Sequence, residues 1–356
     1  MGRGRARQTD GEETMIEVHA LHIGDTKVPF GQFYGGTEGE WLGLRAVASF
    51  LRDKSHYISV PIYAFLIDHP THGRVLVDTG INWDQAHHHR EYYDGPLLRA
   101  AFDEDEYQLE DGQQLVRQLA RRGLAPADID VVVLTHLHED HLGGVRDLLG
   151  SRVIVSRKNW QARNLGIFPF RRTPSLKGVL TDPELVDFSS GPYGPFTASQ
   201  DLFGDGSVVL LPTPGHAPGH LSVLINAAGW RLLCVGDTLY TVRHLASDQL
   251  RPIMLGKKAQ HRQLDSINRI RDLVRATPDL LLAPGHDHTE YGPLLERAFR
   301  GTPDEADIAS LRKFLAQTFD PDLTLREPSM PTFAPAVGSP LGTVEFRDRR
   351  SEVVKG

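Results

Sequence analysis

The stretch Val131-Val132-Val133-Leu134-Thr135-His136-Leu137-His138-Glu139-Asp140-His141 decides how the rest of this chain is read. Its first four residues are apolar and three are β-branched, which suits a buried strand. The six positions after Thr135 then hold three imidazoles and the Asp140 carboxylate. Neutral imidazole and carboxylate are the ligands that borderline divalent ions accept. In extended backbone, positions i and i+2 point to one side, so His136 and His138 can grip one ion. Asp140 and His141 follow where the chain should turn into a helix and face a different point, which suits a second ion nearby.

Four other segments repeat one theme. Arg74-Val75-Leu76-Val77-Asp78-Thr79-Gly80 is an apolar run ending at a carboxylate, and Leu232-Leu233-Cys234-Val235-Gly236-Asp237 is another. Leu211-Pro212-Thr213-Pro214-Gly215-His216 and Leu280-Leu281-Leu282-Ala283-Pro284-Gly285-His286 each end at a histidine. Loops at strand ends are where rigid scaffolds carry chemistry. One Gly-His or Gly-Asp pair is ordinary turn punctuation. Five strand ends built alike, around a metal-ligand motif, describe a site.

These residues resemble the hydrolases of the metallo-β-lactamase superfamily, and within it the N-acyl-homoserine lactonase family, over about residues 16 to 295. The resemblance implies an α+β fold, the αββα sandwich, with two mixed β-sheets and helices on the outer faces. It implies two divalent metal ions, Zn²⁺ first with Fe, Mn or Co as substitutes. His136, His138 and His216 would hold one ion, and Asp140, His141 and His286 the other. Asp237 would bridge both, opposite a bridging hydroxide. Asp78 would orient the metal loop, although a turn residue before Gly80 is an equal reading of the same position. Tyr240, three residues after Asp237 as in the lactonases, would lie beside the substrate carbonyl; an ordinary strand-edge aromatic is the alternative.

The implied reaction is opening of a lactone ring, with an N-acyl-homoserine lactone as substrate and quorum quenching as the role. The bridging hydroxide would attack, Tyr240 would donate to the carbonyl oxygen, and Asp140 would relay a proton to the departing alkoxide. A glyoxalase-II-like thioester hydrolase shares the Gly236-Asp237-Thr238-Leu239 pattern. The Gly-Cys-Gly-Arg expected next in that family is replaced here by Thr241-Val242-Arg243-His244. An organophosphate or phosphodiester hydrolase fits the same ligands, so both stay open.

Composition sets the outer bounds. A chain of 356 residues can bury a large core. A net charge of −7 with no basic block excludes nucleic acid as a main partner. The single Cys234 excludes an intrachain disulfide, which agrees with a cytoplasmic setting. No apolar run is long enough to span a membrane, and residues 1–15 are polar, expected to lack structure, with no signal-peptide core. Strands are expected at 16–22, 59–68, 73–78, 129–134, 152–156, 207–212, 220–226, 230–236 and 279–284, and helices at 111–123, 260–276 and 304–318. Periodicity alone leaves a doubly wound sheet open. The expected catalytic domain is 16–300, followed by a helix and Pro-rich extension over 301–356. That tail would wrap the surface, lack structure, or meet a partner subunit, as in a homodimer. His87-His88-His89 is read as a solvated loop, because consecutive side chains point apart. The aromatics of 82–107 and 157–200 are read as pocket walls or loop anchors.

Overall fold

The computed structural model describes residues 15–29, 33, 57–93, 106–164, 179–248 and 256–319. The first sheet contains β1 (Glu17–Pro29), β2 (Tyr57–His69), β3 (Gly73–Val77), β4 (Tyr107–Gln108), β5 (Val131–Val133), β6 (Arg152–Ser156) and β7 (Glu184–Val186). The second contains β8 (Gly191–Tyr193), β9 (Phe196–Asp201), β10 (Val208–Pro212), β11 (Leu221–Ala227), β12 (Trp230–Gly236) and β13 (Leu280–Pro284). The short β14 (Arg300–Gly301) returns to the first sheet beside β1. The strand orders are β14-β1-β2-β3-β5-β6-β7, with β4 also on β1, and β13-β12-β11-β10-β9-β8. Both sheets are mixed. β3, β5, β6 and β7 pair in parallel, as do β12 and β13, and the remaining pairs are antiparallel.

Strand periodicity sorts the apolar side chains into two layers. On β2, Tyr63, Phe65 and Ile67 join a core shared with Val209, Leu211, Val223 and Ile225 of the second sheet. The alternate residues Ile62, Ala64 and Leu66 turn the other way, to meet Leu115 and Leu119. β3 and β5 repeat the split, with Val75, Val77, Val131 and Val133 inside and Leu76 and Val132 outside.

The helices are α1 (Trp83–His87), α2 (His89–Tyr92), α3 (Leu115–Ala120), α4 (Glu139–Leu142), α5 (Arg157–Ala162), α6 (Lys257–Ala276), α7 (Tyr291–Ala298) and α8 (Glu305–Phe319). α3 covers the outer face of the first sheet, and α6 packs Ile267, Ile270, Leu273 and Val274 into the core of the second. This is the expected αββα sandwich. Among the described residues no helix is long and apolar enough to cross a membrane.

Several local expectations differ from the structure. The helix expected over 111–123 is a 3₁₀ turn, Asp111–Gln113, and then α3, because Gln114 between them is extended with ψ 137°. α5 and β7 to β9 occupy much of 157–200, where no helix or strand is expected. β8 is Gly191-Pro192-Tyr193, whose composition hides a strand. The histidine triplet diverges, but it is helical rather than a solvated loop: His87 ends α1, and His89, 6% exposed, opens α2. His87 stacks on Trp83 at 3.7 Å, His88 meets Asp84 at 2.8 Å, and His89 packs edge-on against Tyr93. Phe102, Phe168, Phe170 and the Pro-rich tail lie outside the described residues.

α8, expected at the head of the C-terminal extension, buries Leu311 and Leu315 in the main core. Truncating a buried leucine typically costs 2–5 kcal/mol. Leu311→Ala is therefore expected to lower unfolding stability by about that much in urea titration. An unchanged midpoint would make α8 an appendage rather than part of the fold.

Candidate metal centre

The C-terminal ends of β3, β5, β10, β12 and β13 lie along one rim of the sandwich, and each delivers one piece of the site. β5 leads into His136, His138, Asp140 and His141; β10 leads into His216, β12 into Asp237, and β13 into His286. Ligand atoms of His136, His138, His216 and Asp237 all lie within 4.8 Å of one another, and those of Asp140, His141 and His286 form a second group by the same measure. The seven residues expected at the metals are thus brought together, in two neighbouring sets.

Asp237 stands between the sets. Its Oδ2 lies 3.1 Å from His216 Nε2 and 3.8 Å from His136 Nε2. Its Oδ1 lies 3.1 Å from His141 Nε2 and 3.2 Å from His286 Nε2. Asp140 Oδ2 is 3.4 Å from His286 Nε2 and 3.8 Å from His141 Nε2. His216 Nε2 and His138 Nδ1 approach to 2.8 Å.

The rings are held by their other nitrogens. His141 Nδ1–H donates to Asp78 Oδ2 at 2.8 Å, and His286 Nδ1–H donates to the Pro61 carbonyl at 2.8 Å. Thr135 Oγ1 donates to Asp78 Oδ2 at 2.8 Å, so its lone pairs face His136 Nδ1 at 3.1 Å. Asp78 Oδ1 accepts the Thr135 N–H at 2.8 Å. One carboxylate therefore orients a ligand in each set. Asp78 does so from left-handed backbone, φ 57°, a conformation that aspartate tolerates better than most residues.

These tautomers leave Nε2 of both His136 and His141 facing inward. Those two atoms and Asp237 Oδ1 are buried and unsatisfied by hydrogen-bond geometry, although His141 Nε2 and Oδ1 lie 3.1 Å apart. A buried unpaired polar atom costs about 1–3 kcal/mol, so three at one point call for something that satisfies them together. Lone pairs of five imidazoles and two carboxylates fit divalent cations of the zinc type.

The electrostatics favour the same use. Burial pushes His136 and His216 well below the ordinary histidine value, and burial also lowers His138, which favours the neutral form of these rings. Burial opposes a charge on His141 and His286 as well. There Asp237 outweighs it, with Asp140 and, for His141, Asp78, and both groups are raised. Burial resists ionisation of Asp237, but His141, His286 and His216 hold it well below the usual carboxylate range. Asp237 is an anion that needs cationic company.

Tyr240 is 7 % exposed and stacks on Phe33 at 4.9 Å, with Val60 completing the apolar cluster. Its phenol oxygen lies 3.0 Å from His216 Nδ1. If His216 binds a metal through Nε2, its Nδ1–H donates to the phenol oxygen.

Other residues carry the site without having stood out in the sequence. His220 is fully buried, accepts the Asp237 N–H on Nε2 at 3.1 Å, and meets Thr213 Oγ1 at 2.9 Å. A Cβ at Gly236, where φ is +49°, would stand 2.8 Å from His220 Nε2, so glycine is required. Gln263 of α6 donates to the carbonyls of Asp237 and Thr238 at 3.0 and 3.3 Å. Glu139, between two ligand positions, takes hydrogen bonds from Tyr93 and Tyr107 at 2.8 and 3.3 Å, and burial pushes its carboxyl up to about 8. Thr135 adjoins the motif and is legible in hindsight. The Pro61 carbonyl is a backbone atom and leaves no mark on the sequence.

The sequence profile of the metallo-beta-lactamase superfamily matches residues 59–286. An N-acyl homoserine lactonase AttM of Azorhizobium caulinodans is 29% identical over 244 residues, covering 64% of this chain and 82% of that one. An N-acyl homoserine lactonase of Bacillus cereus is 26% identical over 236 residues, covering 65% and 82%. Among solved structures, an N-acyl homoserine lactone hydrolase with N-hexanoyl-L-homoserine bound at its catalytic metal center aligns with a TM-score of 0.58. It is 20% identical and covers 77% of this chain and 94% of its own, a likeness of fold.

Two outcomes are expected here. Asp78→Ala frees a ring in each set, so metal affinity should fall by about 10–100-fold, read by competition with a chromophoric chelator. Unaltered affinity would reduce Asp78 to a turn residue. Burial holds His220 down to about 3, against an ordinary value of 6.5. A folded-state value below the unfolded one gives stability that is present above pH 6.5 and lost as pH falls toward 3. Between pH 7 and 5 this group should cost about 2 kcal/mol. Chelator-treated wild type should lose more stability over that interval than His220→Gln; equal losses would contradict the assignment.

Proposed function

The chain belongs to the metallo-beta-lactamase superfamily and is a metal-dependent hydrolase, and from that premise we propose that it opens the ring of N-acyl-homoserine lactones with two zinc ions. The observation that carries the reading is the division of Asp237, with one carboxylate oxygen toward each set of imidazoles. The named lactonase relatives support the substrate class. His136, His138 and His216 would hold one ion, Asp140, His141 and His286 the other, with Asp237 shared. When bound, the pair supplies Lewis acidity at the carbonyl and a hydroxide nucleophile at neutral pH.

The chain's own groups do the remainder. Tyr240 accepts from His216 Nδ1–H and turns its O–H toward the carbonyl oxygen, where negative charge builds as the carbonyl carbon becomes tetrahedral. Phe33 and Val60 pack beside the phenol and hold the ring in place. Collapse breaks the ring C–O bond and leaves an alkoxide, a poor leaving group until protonated. Asp140, on the opposite set, takes the proton of the attacking water and passes it to that oxygen. Neutral rings at His136, His138 and His216 keep donor lone pairs available without competing protons.

The reading is tested by comparing acyl-homoserine lactones, S-lactoylglutathione and a phosphotriester on zinc-saturated enzyme. The highest kcat/KM is expected on the lactones, and a higher value on the thioester or phosphotriester would overturn the substrate class. Tyr240→Phe, assayed at saturating zinc, should lower kcat on lactones by up to about 10²–10³-fold, the loss typical of one oxyanion donor. Its effect on the phosphotriester should be small. Equal turnover of mutant and parent on every lactone would leave Tyr240 as packing.

A further inference from the structure

At the end of the sandwich away from this rim, the β2–β3 turn meets the turn between β9 and β10. One ligand atom each of His69, His72 and Asp205 lies within 4.8 Å of the others. β3 separates this cluster from Asp78, and the six residue steps from His72 to Asp78 put about 20 Å between them. The cluster is therefore not part of the rim site. It joins the two sheets, with His69 and His72 from the first and Asp205 from the second.

The three side chains are held in different ways. His72 Nε2 meets Asp205 Oδ2 at 2.7 Å. Asp205 Oδ1 is occupied by the Ser207 N–H at 2.9 Å and its hydroxyl at 2.5 Å, which leaves Oδ2 for the cluster. Phe203 stacks on the His72 ring at 4.1 Å and 10°, and the His69 ring lies 4.6 Å from it. His69 is 4 % exposed, and its Nε2 is buried with no hydrogen-bond partner. Its Nδ1 faces the N–H groups of Thr71 and His72 and the Thr71 hydroxyl, all at 3.2 Å.

We propose that this cluster binds one zinc ion through His69, His72 and Asp205, clamping the two sheets together at a point remote from catalysis. Two imidazoles and a carboxylate are a borderline donor set, and a water completes the tetrahedron. Ligation through His69 Nε2 requires the ring proton on Nδ1, and Thr71 Oγ1 is placed to accept it. Two long backbone hydrogen bonds to Nδ1 are given up, so binding is weaker than in a closed structural site. Tetrahedral ligands at zinc distances lie roughly 3.3 Å apart, so His72 and Asp205 must separate by about half an ångström. Their side chains are 30% and 38% exposed, which allows that movement and gives the ion a path from solvent.

The full chain is stripped with chelator and titrated with zinc, with uptake read by a chromophoric competitor and the thermal midpoint followed in parallel. Wild type should take up one equivalent more than His72→Gln. The extra equivalent should raise the midpoint only in wild type, and turnover at the rim site should be the same in both. Asp205→Asn, on the other sheet, should reproduce the loss and covers the case of a misfolded His72 variant. Equal zinc uptake by wild type and either folded variant would overturn the proposal.

Discussion

The Asp237 carboxylate, buried to 3% exposure between two sets of imidazoles, is the constraint on which the rest of the rim depends. An isolated carboxylate taken from water costs several kcal/mol unless charge and hydrogen bonds compensate it. Here the compensation comes from His141, His286 and His216, on three separate loops. All three loops must therefore arrive in one place. The sheet order ensures it: β12 and β13 are parallel neighbours, and β3 and β5 are parallel neighbours in the other sheet, so their C-terminal ends share a rim.

Rigidity behind the ligands comes from a few buried hydrogen bonds. Asp78 ties His141 directly and His136 through Thr135, so the two sets are oriented by one anchor in the first sheet. His220 and Gln263 hold the backbone of Asp237 from the second. Groups held in this way need no reorganisation when charge develops beside them, which is where electrostatic stabilisation gains its effect. The two sets also differ in proton affinity: Asp237 and Asp140 raise His141 and His286, whereas burial lowers His136 and His216.

Much of the scaffold was legible because strand alternation is a strong signal. β6 and β12 fall on their expected residues, and β2, β3, β10, β11 and β13 lie within two positions at each end. Short edge strands were not legible. β7 has three residues, and β8 contains Gly191 and Pro192, so neither shows a period. The residues at the rim could be picked out because metal-ligand types cluster visibly at strand ends. Their geometry could not. The expectation that Asp237 is shared came only through the resemblance, and nothing in the sequence says that Tyr240 leans on His216 or that a proline carbonyl fixes His286. Those are consequences of loops far apart in sequence meeting in space. His69, His72 and Asp205 went unread for the same reason, since 133 residues separate His72 from Asp205.

The central claim is that Asp237 is shared by two metal ions. Crystals of the zinc-loaded protein, measured on both sides of the zinc absorption edge, test it directly. The account predicts two anomalous peaks at the rim, one against Oδ2 among His136, His138 and His216, the other against Oδ1 among Asp140, His141 and His286. A single rim peak in fully active protein, or two peaks with Asp237 bound to only one of them, would contradict it.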